Sequence, residues 1–190
     1  MIRELRIAML VFLLLTILTG VAYPALVTLV ASVAFPAQAS GSLVTVDGRL
    51  VGSRLIGQSF SSPRYFRARP SATGAAPNNG AVSSGSNQGP LNPALAAAVE
   101  RRVAALRAAD PGNRRPVPVD LVTASASGLD PHISIAAAEF QVPRVARERG
   151  LPEARVLEMV RAATVGRTLG VLGEPRVNVL ELNLALDAGR

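Results

Sequence analysis

From Ile7 to Phe35 the chain runs for 29 residues without a charged side chain, and 16 of them are Leu, Ile, Val or Phe. A helix of this length, rising 1.5 Å per residue, is about 40 Å long, more than the roughly 30 Å hydrocarbon core of a bilayer. Each such side chain contributes roughly −0.3 to −0.6 kcal/mol to insertion, so the set contributes on the order of −5 to −10 kcal/mol. Residues 7–35 are therefore expected to form a membrane-spanning helix region behind a short stretch, 1–6. Pro24 lies inside the run. It can kink the helix while neighbours satisfy the freed carbonyl, or it can mark a change of direction near the far interface. A cleaved signal peptide is the other reading of an N-terminal apolar run, and Ala37-Gln38-Ala39 has the small residues of a cleavage site. The apolar core of a signal peptide spans only about 7–15 residues, however, which favours a retained anchor. Arg3, Arg6 and the α-amino group precede the helix. The positive-inside rule then puts residues 1–6 in the cytoplasm and residues 36–190 outside the inner membrane.

Beyond the anchor the pattern changes to short mixed elements. Val44-Thr45-Val46 and Arg49-Leu50-Val51 flank Asp47-Gly48, a strong two-residue hairpin signal. Arg54 to Phe60 reads as an extension of the same small sheet. Residues 70–93 are rich in Gly, Pro, Ser and Asn and read as a long loop. Pro93 to Ala109 reads as a helix capped by Asn92, with an apolar stripe of Leu95, Val99, Val103 and Leu106. Val117 to Thr123 reads as an extended segment at a sheet edge, because Pro118 cannot donate to a ladder. Ser134 to Arg149 reads as a helix bent at Pro143 and stopped by Gly150, and Pro152 to Thr164 as another. Val177 to Asp187 alternates leucines as a strand does. Asn178 followed by Glu181 is nevertheless a helix start, and helix is favoured. The expected fold is α+β: one N-terminal transmembrane helix followed by a single small mixed α/β domain outside the cytoplasm.

Composition narrows the chemistry. There is no cysteine and one histidine, His132, which excludes disulfides, thiolate metal sites and multi-histidine metal sites. All 20 basic residues are arginine, as expected of a GC-rich coding sequence. The net charge of +7 invites a nucleic-acid reading, but a domain outside the cytoplasm meets little nucleic acid. Without lysine there is no phosphate-binding G-x-x-x-x-G-K-[ST] loop, and there is no dinucleotide fingerprint or phosphorylation sequence of an ion-pumping ATPase.

Two clusters remain. The stretch 123–134 holds Ser125, Ser127, Gly128, Asp130, Pro131, His132 and Ser134. Serine, carboxylate and histidine together permit a membrane-anchored serine hydrolase using Ser125 or Ser127. Triad members normally come from separate elements, so a turn set by Asp130-Pro131, a positive φ at Gly128 and a cap at Ser134 form the stronger reading. A polar loop shaped in this way also suits a partner protein. The second cluster is Gln58, Phe60, Pro63, Tyr65, Phe66, Arg67, Arg69, Pro70 and Ser71. Arginines among aromatics can bind single-stranded nucleic acid. The preferred reading is that Phe60, Tyr65 and Phe66 fill the core. By composition, residues 83–90 form a flexible linker, and Gly173 to Asn178 a turn into the last helix.

Taken in order, these pieces resemble the C subunit of the bacterial Kdp-type potassium-transporting ATPase, the KdpC family. The matching stretches are Leu55-Ile56-Gly57-Gln58 with Phe60, Pro63 with Tyr65-Phe66, and Arg69-Pro70-Ser71-Ala72. Gly85-Ser86-Asn87 with Gly89-Pro90 follows, then Val117-Pro118 with Asp120 to Ser125, and Ser127 to Ser134. Arg144-Val145-Ala146 with Arg149-Gly150 and Gly173 to Leu180 with Leu182-Asn183 complete the set. Gln88, Ala126 and Pro143 depart from the family pattern. The resemblance implies an accessory, non-catalytic subunit of a high-affinity ATP-driven potassium uptake pump. Its implied partners are a channel-like potassium-binding membrane subunit, the P-type ATPase that hydrolyses ATP, a very small membrane subunit and the lipid bilayer. ATP and potassium belong to the complex; a role promoting ATP binding by the complex has been proposed for the family. No catalytic residue, metal or cofactor is expected on this chain, and no nucleic acid. The expected contact surface is the 58–71 cluster with the 125–134 loop, together with Ser86, Asn87, Gly89 and Pro90. Gly20, Ala22, Pro24 and Ala25 are the expected packing positions on the membrane helix.

Overall fold

Pro24 decides the form of the N-terminal helix. Proline has no N–H for the carbonyl four residues back, and its ring crowds the preceding turn. In the computed structural model, which describes residues 1–189, α1 (Ile2–Ile17) passes into a π turn (Leu18–Ala22) and then into α2 (Tyr23–Ala34). Tyr23 N–H donates to Leu18 C=O, five residues back, so the widened turn absorbs the proline within a continuous helix. The run Ile2–Ala34 is 33 residues, long and apolar enough to cross a bilayer. No side chain of α1 or α2 is buried. Thr16 and Thr19 donate their hydroxyls to Phe12 C=O at 2.8 Å and Leu15 C=O at 2.7 Å, which spares lipid an unpaired donor.

The chain divides into two units, Met1–Leu50 and the residues from Val51 onward. After the one-turn helix α3 (Pro36–Ala39) come β1 (Leu43–Val46) and β2 (Arg49–Ser53), which form a two-stranded sheet. Asp47 and Gly48 have φ of 49° and 75°, the pairing a two-residue hairpin turn requires. The sheet does not extend through Arg54 to Phe60. Ser53 Oγ accepts Leu55 N–H at 3.1 Å and turns the chain out of the ladder.

The second unit is built on α4 (Pro93–Ala109), β3 (His132–Ser134), α5 (Ile135–Arg149), α6 (Glu153–Ala162), β4 (Thr164–Val165), β5 (Arg176–Asn178) and α7 (Val179–Asp187). The three strands form an antiparallel sheet in the order β3-β5-β4, with Ile133 opposite Val177 and Thr164 opposite Val177. One device starts two helices. β3 ends at Ser134, whose Oγ accepts Ala137 N–H at 3.0 Å. β5 ends at Asn178, whose Oδ1 accepts Glu181 N–H at 3.1 Å. Each strand thus becomes a helix at its own N-cap. Gly150, with φ 65°, stops α5. The helix expected to continue to Thr164 ends at Ala162, because Thr164 and Val165 pair with β5. Ile133, Val145, Val156, Val160, Val177, Val179 and Leu182 fill the core, joined by Phe66 from the preceding irregular segment.

One further expectation is corrected here. Val117 to Thr123 is not an edge strand; Val119–Leu121 forms a 3-10 turn. Asp120 carboxylate accepts Ser134 N–H at 2.8 Å and Ser134 O–H at 3.2 Å, and Thr123 O–H closes on Val119 C=O at 2.8 Å. The tight turn, its Thr123 bond and the Asp120 tie to Ser134 outcompete a ladder that Pro118 could join only in part. The apolar stripe of α4 is only half-buried: no residue of that helix is fully enclosed, and Leu106 alone among the four packs on the core.

Candidate functional site

The long stretch between β2 and α4 has no regular structure, yet it carries half of the family stretches. Its backbone must find partners elsewhere, since an unpaired buried amide costs about 1–3 kcal/mol. Side-chain amides supply them. Asn183 on α7 accepts Phe66 N–H at 2.9 Å and donates to Phe66 C=O at 3.0 Å. Gln141 on α5 accepts Arg67 N–H at 2.8 Å and donates to Arg67 C=O at 3.2 Å. Two buried amides thus act as the missing neighbouring strand for residues 66–67. Arg144, also buried, donates to Tyr65 C=O at 3.1 Å, to Pro63 C=O and to Gln141 Oε1 at 2.8 Å. Burial pushes its guanidinium down to about 10, helped by the neighbouring Arg67 charge; it stays charged at neutral pH.

Phe66 is fully buried, while Phe60 and Tyr65 are half-buried with rings 5.4 Å apart. The aromatic cluster is therefore part core and part surface. Tyr65 O–H donates to Asp187 at 2.9 Å, which raises the phenol's pKa; burial adds to it. Arg149 lies over the Tyr65 ring at 5.0 Å, binds Asp187 at 2.8 Å and donates to Arg64 C=O at 2.8 Å. Gln58 reaches back to Val51 C=O at 2.8 Å.

The second half of the site joins residues 70–84 to the loop before β3. Ser71 O–H donates to Gly128 C=O at 2.7 Å and its oxygen accepts Asn78 N–H at 2.9 Å. Ser125 N–H donates to Pro70 C=O at 2.9 Å, and Ser84 N–H to Ser127 C=O at 3.0 Å. Gly128 has φ 70°, and a Cβ there would meet Thr73 Cγ2 at 2.4 Å and Ser84 oxygen at 2.6 Å. Only glycine fits that crossing. Residues 83–85 are thus held rather than free, contrary to their linker-like composition. Ser86, Asn87, Gly89 and Pro90 are not drawn in: they are exposed, and Asn87 stands at φ 50°.

Asp130 sits where the two halves meet. Its carboxylate accepts His132 N–H at 2.9 Å, lies 3.2 Å from His132 Nδ1 and takes Arg69 at 3.3 Å. Burial alone would raise this carboxyl; the bonds from His132 and the charges of His132 and Arg69 outweigh it and hold it below its ordinary value. Pro131 C=O accepts Val179 N–H at 3.0 Å, tying the turn to the start of α7. Arg69, Asp130, His132, Ser134 and Arg176 line a shallow cleft of about 440 Å³.

The serines are not presented to the histidine as a triad. Ser125 Oγ is 3.2 Å from Ser127 Oγ and accepts Gly128 N–H at 3.2 Å; Ser127 Oγ accepts Leu129 N–H at 3.1 Å. Both hydroxyls are turn-forming groups. Among the described residues no cluster of three or more His, Asp or Glu side chains is placed to hold a metal ion. Sequence reasoning missed the buried trio Gln141, Arg144 and Asn183. The available signal was their position on otherwise apolar helix faces, beside Ala137, Ala138, Val145 and Leu182.

A family model described as the c chain of the K+-transporting ATPase matches residues 5–188. The potassium-transporting ATPase KdpC subunit of Sorangium cellulosum is 64% identical over the whole of both chains. That of Methylibium petroleiphilum is 63% identical over 98% of this chain and 97% of its own. That of Methylococcus capsulatus is 60% identical, again over the whole of both chains.

Proposed function

Because the chain belongs to the family of K+-transporting ATPase c chains, we propose that it is the accessory, non-catalytic subunit of a high-affinity potassium uptake pump. It would assemble and stabilise the complex, while a partner P-type ATPase subunit hydrolyses ATP and a channel-like membrane subunit binds potassium. A very small membrane subunit completes the set. The helix Ile2–Ala34 anchors the chain beside these partners, with Gly20, Ala22 and Ala25 allowing close helix approach; a Cβ at Gly20 would meet nothing within 4 Å. Residues 1–6 lie in the cytoplasm and the domain outside, so the chain supports ATP turnover through assembly rather than by touching nucleotide.

One observation carries the non-catalytic reading. Polar groups of the 58–71 and 125–134 segments bond one another and backbone: Asp130 to Arg69 and His132, Ser71 to Gly128 and Asn78, Ser125 to Ser127 and Gly128. Such a network holds loops in a fixed shape, as a recognition surface requires. The test is capture of the tagged full chain from gently solubilised membranes of potassium-starved cells, with mass spectrometry of the proteins that accompany it. A P-type ATPase and a large multi-spanning subunit are expected in the eluate. A chain that emerges alone sinks the reading.

A further inference from the structure

Between β4 and β5 the chain makes a small hairpin whose tip is Leu169-Gly170-Val171-Leu172. Thr168 N–H donates to Leu172 C=O and Leu172 N–H to Thr168 C=O, both at 2.9 Å, and Val171 N–H closes the turn on Thr168 C=O at 3.3 Å. The central residues Leu169 and Gly170 have φ of 54° and 77°. Folding alone favours Asn, Asp or Gly at the first of these positions; leucine there brings its Cβ against a carbonyl oxygen. Leu169 is also 86% exposed, Val171 71% and Leu172 58%. A strained backbone and an apolar tip in water both work against the isolated fold. Strain of this kind persists where function requires it.

We propose that this tip is an apolar plug that seats in a pocket on the extramembrane face of a membrane-anchored co-subunit of the same pump. The proposal rests on the assignment of the chain to that pump. Size points to a co-subunit. Three aliphatic side chains cover at most a few hundred Å², against about 800 Å² per partner in a stable interface. That is too little to hold a soluble partner. Two chains confined to one membrane already meet at high effective concentration, and a small anchor is then enough to fix their orientation. Shape and charge point to protein rather than lipid. A bilayer accepts apolar groups of any shape and gives no return for a locked turn. Membrane-seeking tips carry Trp or Tyr with unpaired basic residues. There is no aromatic residue between Val165 and Arg176, and Arg167 is held by both carboxylate oxygens of Glu174, at 2.9 and 2.7 Å. Arg167 and Glu174 cancel each other beside the tip, and Glu174 would be repelled by anionic headgroups.

The test uses the full chain, tagged and co-expressed with its pump in cells lacking the untagged copy. Leu169→Asn gives the turn the residue its φ favours, so the unfolding midpoint of the purified chain is expected to hold or rise. Co-purified pump is nevertheless expected to fall several-fold, and further with Val171→Thr and Leu172→Thr added. Variants that recover the wild-type amount of pump overturn the proposal. A benzophenone-bearing residue in place of Val171 decides the occupant by photo-crosslinking in membranes. Adducts with a pump subunit support the plug; adducts with lipid only, or with a second copy, overturn it. If the wild-type chain captures no pump subunit, the pump assignment itself falls and takes the plug with it. If wild type and variants capture it equally, only the plug falls.

Discussion

Asn183 shows how much of this domain rests on single side chains. Its carboxamide satisfies both backbone groups of Phe66, and the residue is 1% exposed. Asn183→Ala removes both partners and leaves a buried N–H and C=O unpaired, at roughly 2–6 kcal/mol from the two groups together. Denaturant unfolding of the detergent-solubilised chain is expected to show that loss. A loss below about 1 kcal/mol would mean that water replaces the amide. Asn183 and Arg144 stood in the family stretches, but nothing in the local sequence says which backbone they serve: their targets lie 117 and 79–81 positions away. Gln141, outside those stretches, gave still less warning. By contrast the caps at Asn92, Ser134 and Asn178 were legible, because a cap acts within three residues.

At the scale of elements, the two mid-helix prolines are accommodated in different ways. Pro24 sits where no side chain of the chain is buried, and the helix adjusts its own ladder through a π turn. Pro143 lies in the core helix α5, where its missing N–H frees Glu139 C=O, and Arg115 donates to that carbonyl at 3.2 Å instead. Proline inside a helix costs about 3 kcal/mol relative to alanine, and one exposed arginine recovers only part of it. Pro143→Ala is therefore expected to stabilise the chain by roughly 1–3 kcal/mol, read as a higher unfolding midpoint. An unchanged midpoint would show that the helix is already relaxed around the proline. The elements that failed to follow their sequence pattern are short: the strand expected at 117–123 and the sheet extension at 54–60. In both, a local bond turns the chain, Leu55 N–H to Ser53 Oγ in one and Thr123 O–H to Val119 C=O in the other, a competition that hydrophobic alternation does not register.

For the whole molecule, orientation across the membrane is the open consequence. The chain has no cysteine, so single cysteines report position without background. With Ser86→Cys, a membrane-impermeant maleimide is expected to label cells whose outer layer has been opened; with Arg3→Cys, labelling is expected only after the inner membrane is permeabilised. Labelling of both in the same sense would contradict an anchor with the N-terminus inside. Membership of the pump's c-chain family follows from similarity over residues 5–188 and stands whichever way the domain faces.

Some of this protein was determined by the sequence alone: the apolar helix, the hairpin at Asp47-Gly48, helices α4 to α7 with the caps at Asn92, Ser134 and Asn178, and the ordered motifs that signal the family. The family came from the order of its motifs along the chain; the elements depend on residues within a few positions of one another, where periodicity and turn chemistry act without help. Only the tertiary structure decided the rest. It assigned Gln141, Arg144 and Asn183 to an irregular strand, paired β3 with β5 across more than forty residues, spent Ser125 and Ser127 on a turn, and left Leu169 at a strained exposed tip. Those outcomes turn on which distant backbone groups become buried together, and burial is a property of the packed chain.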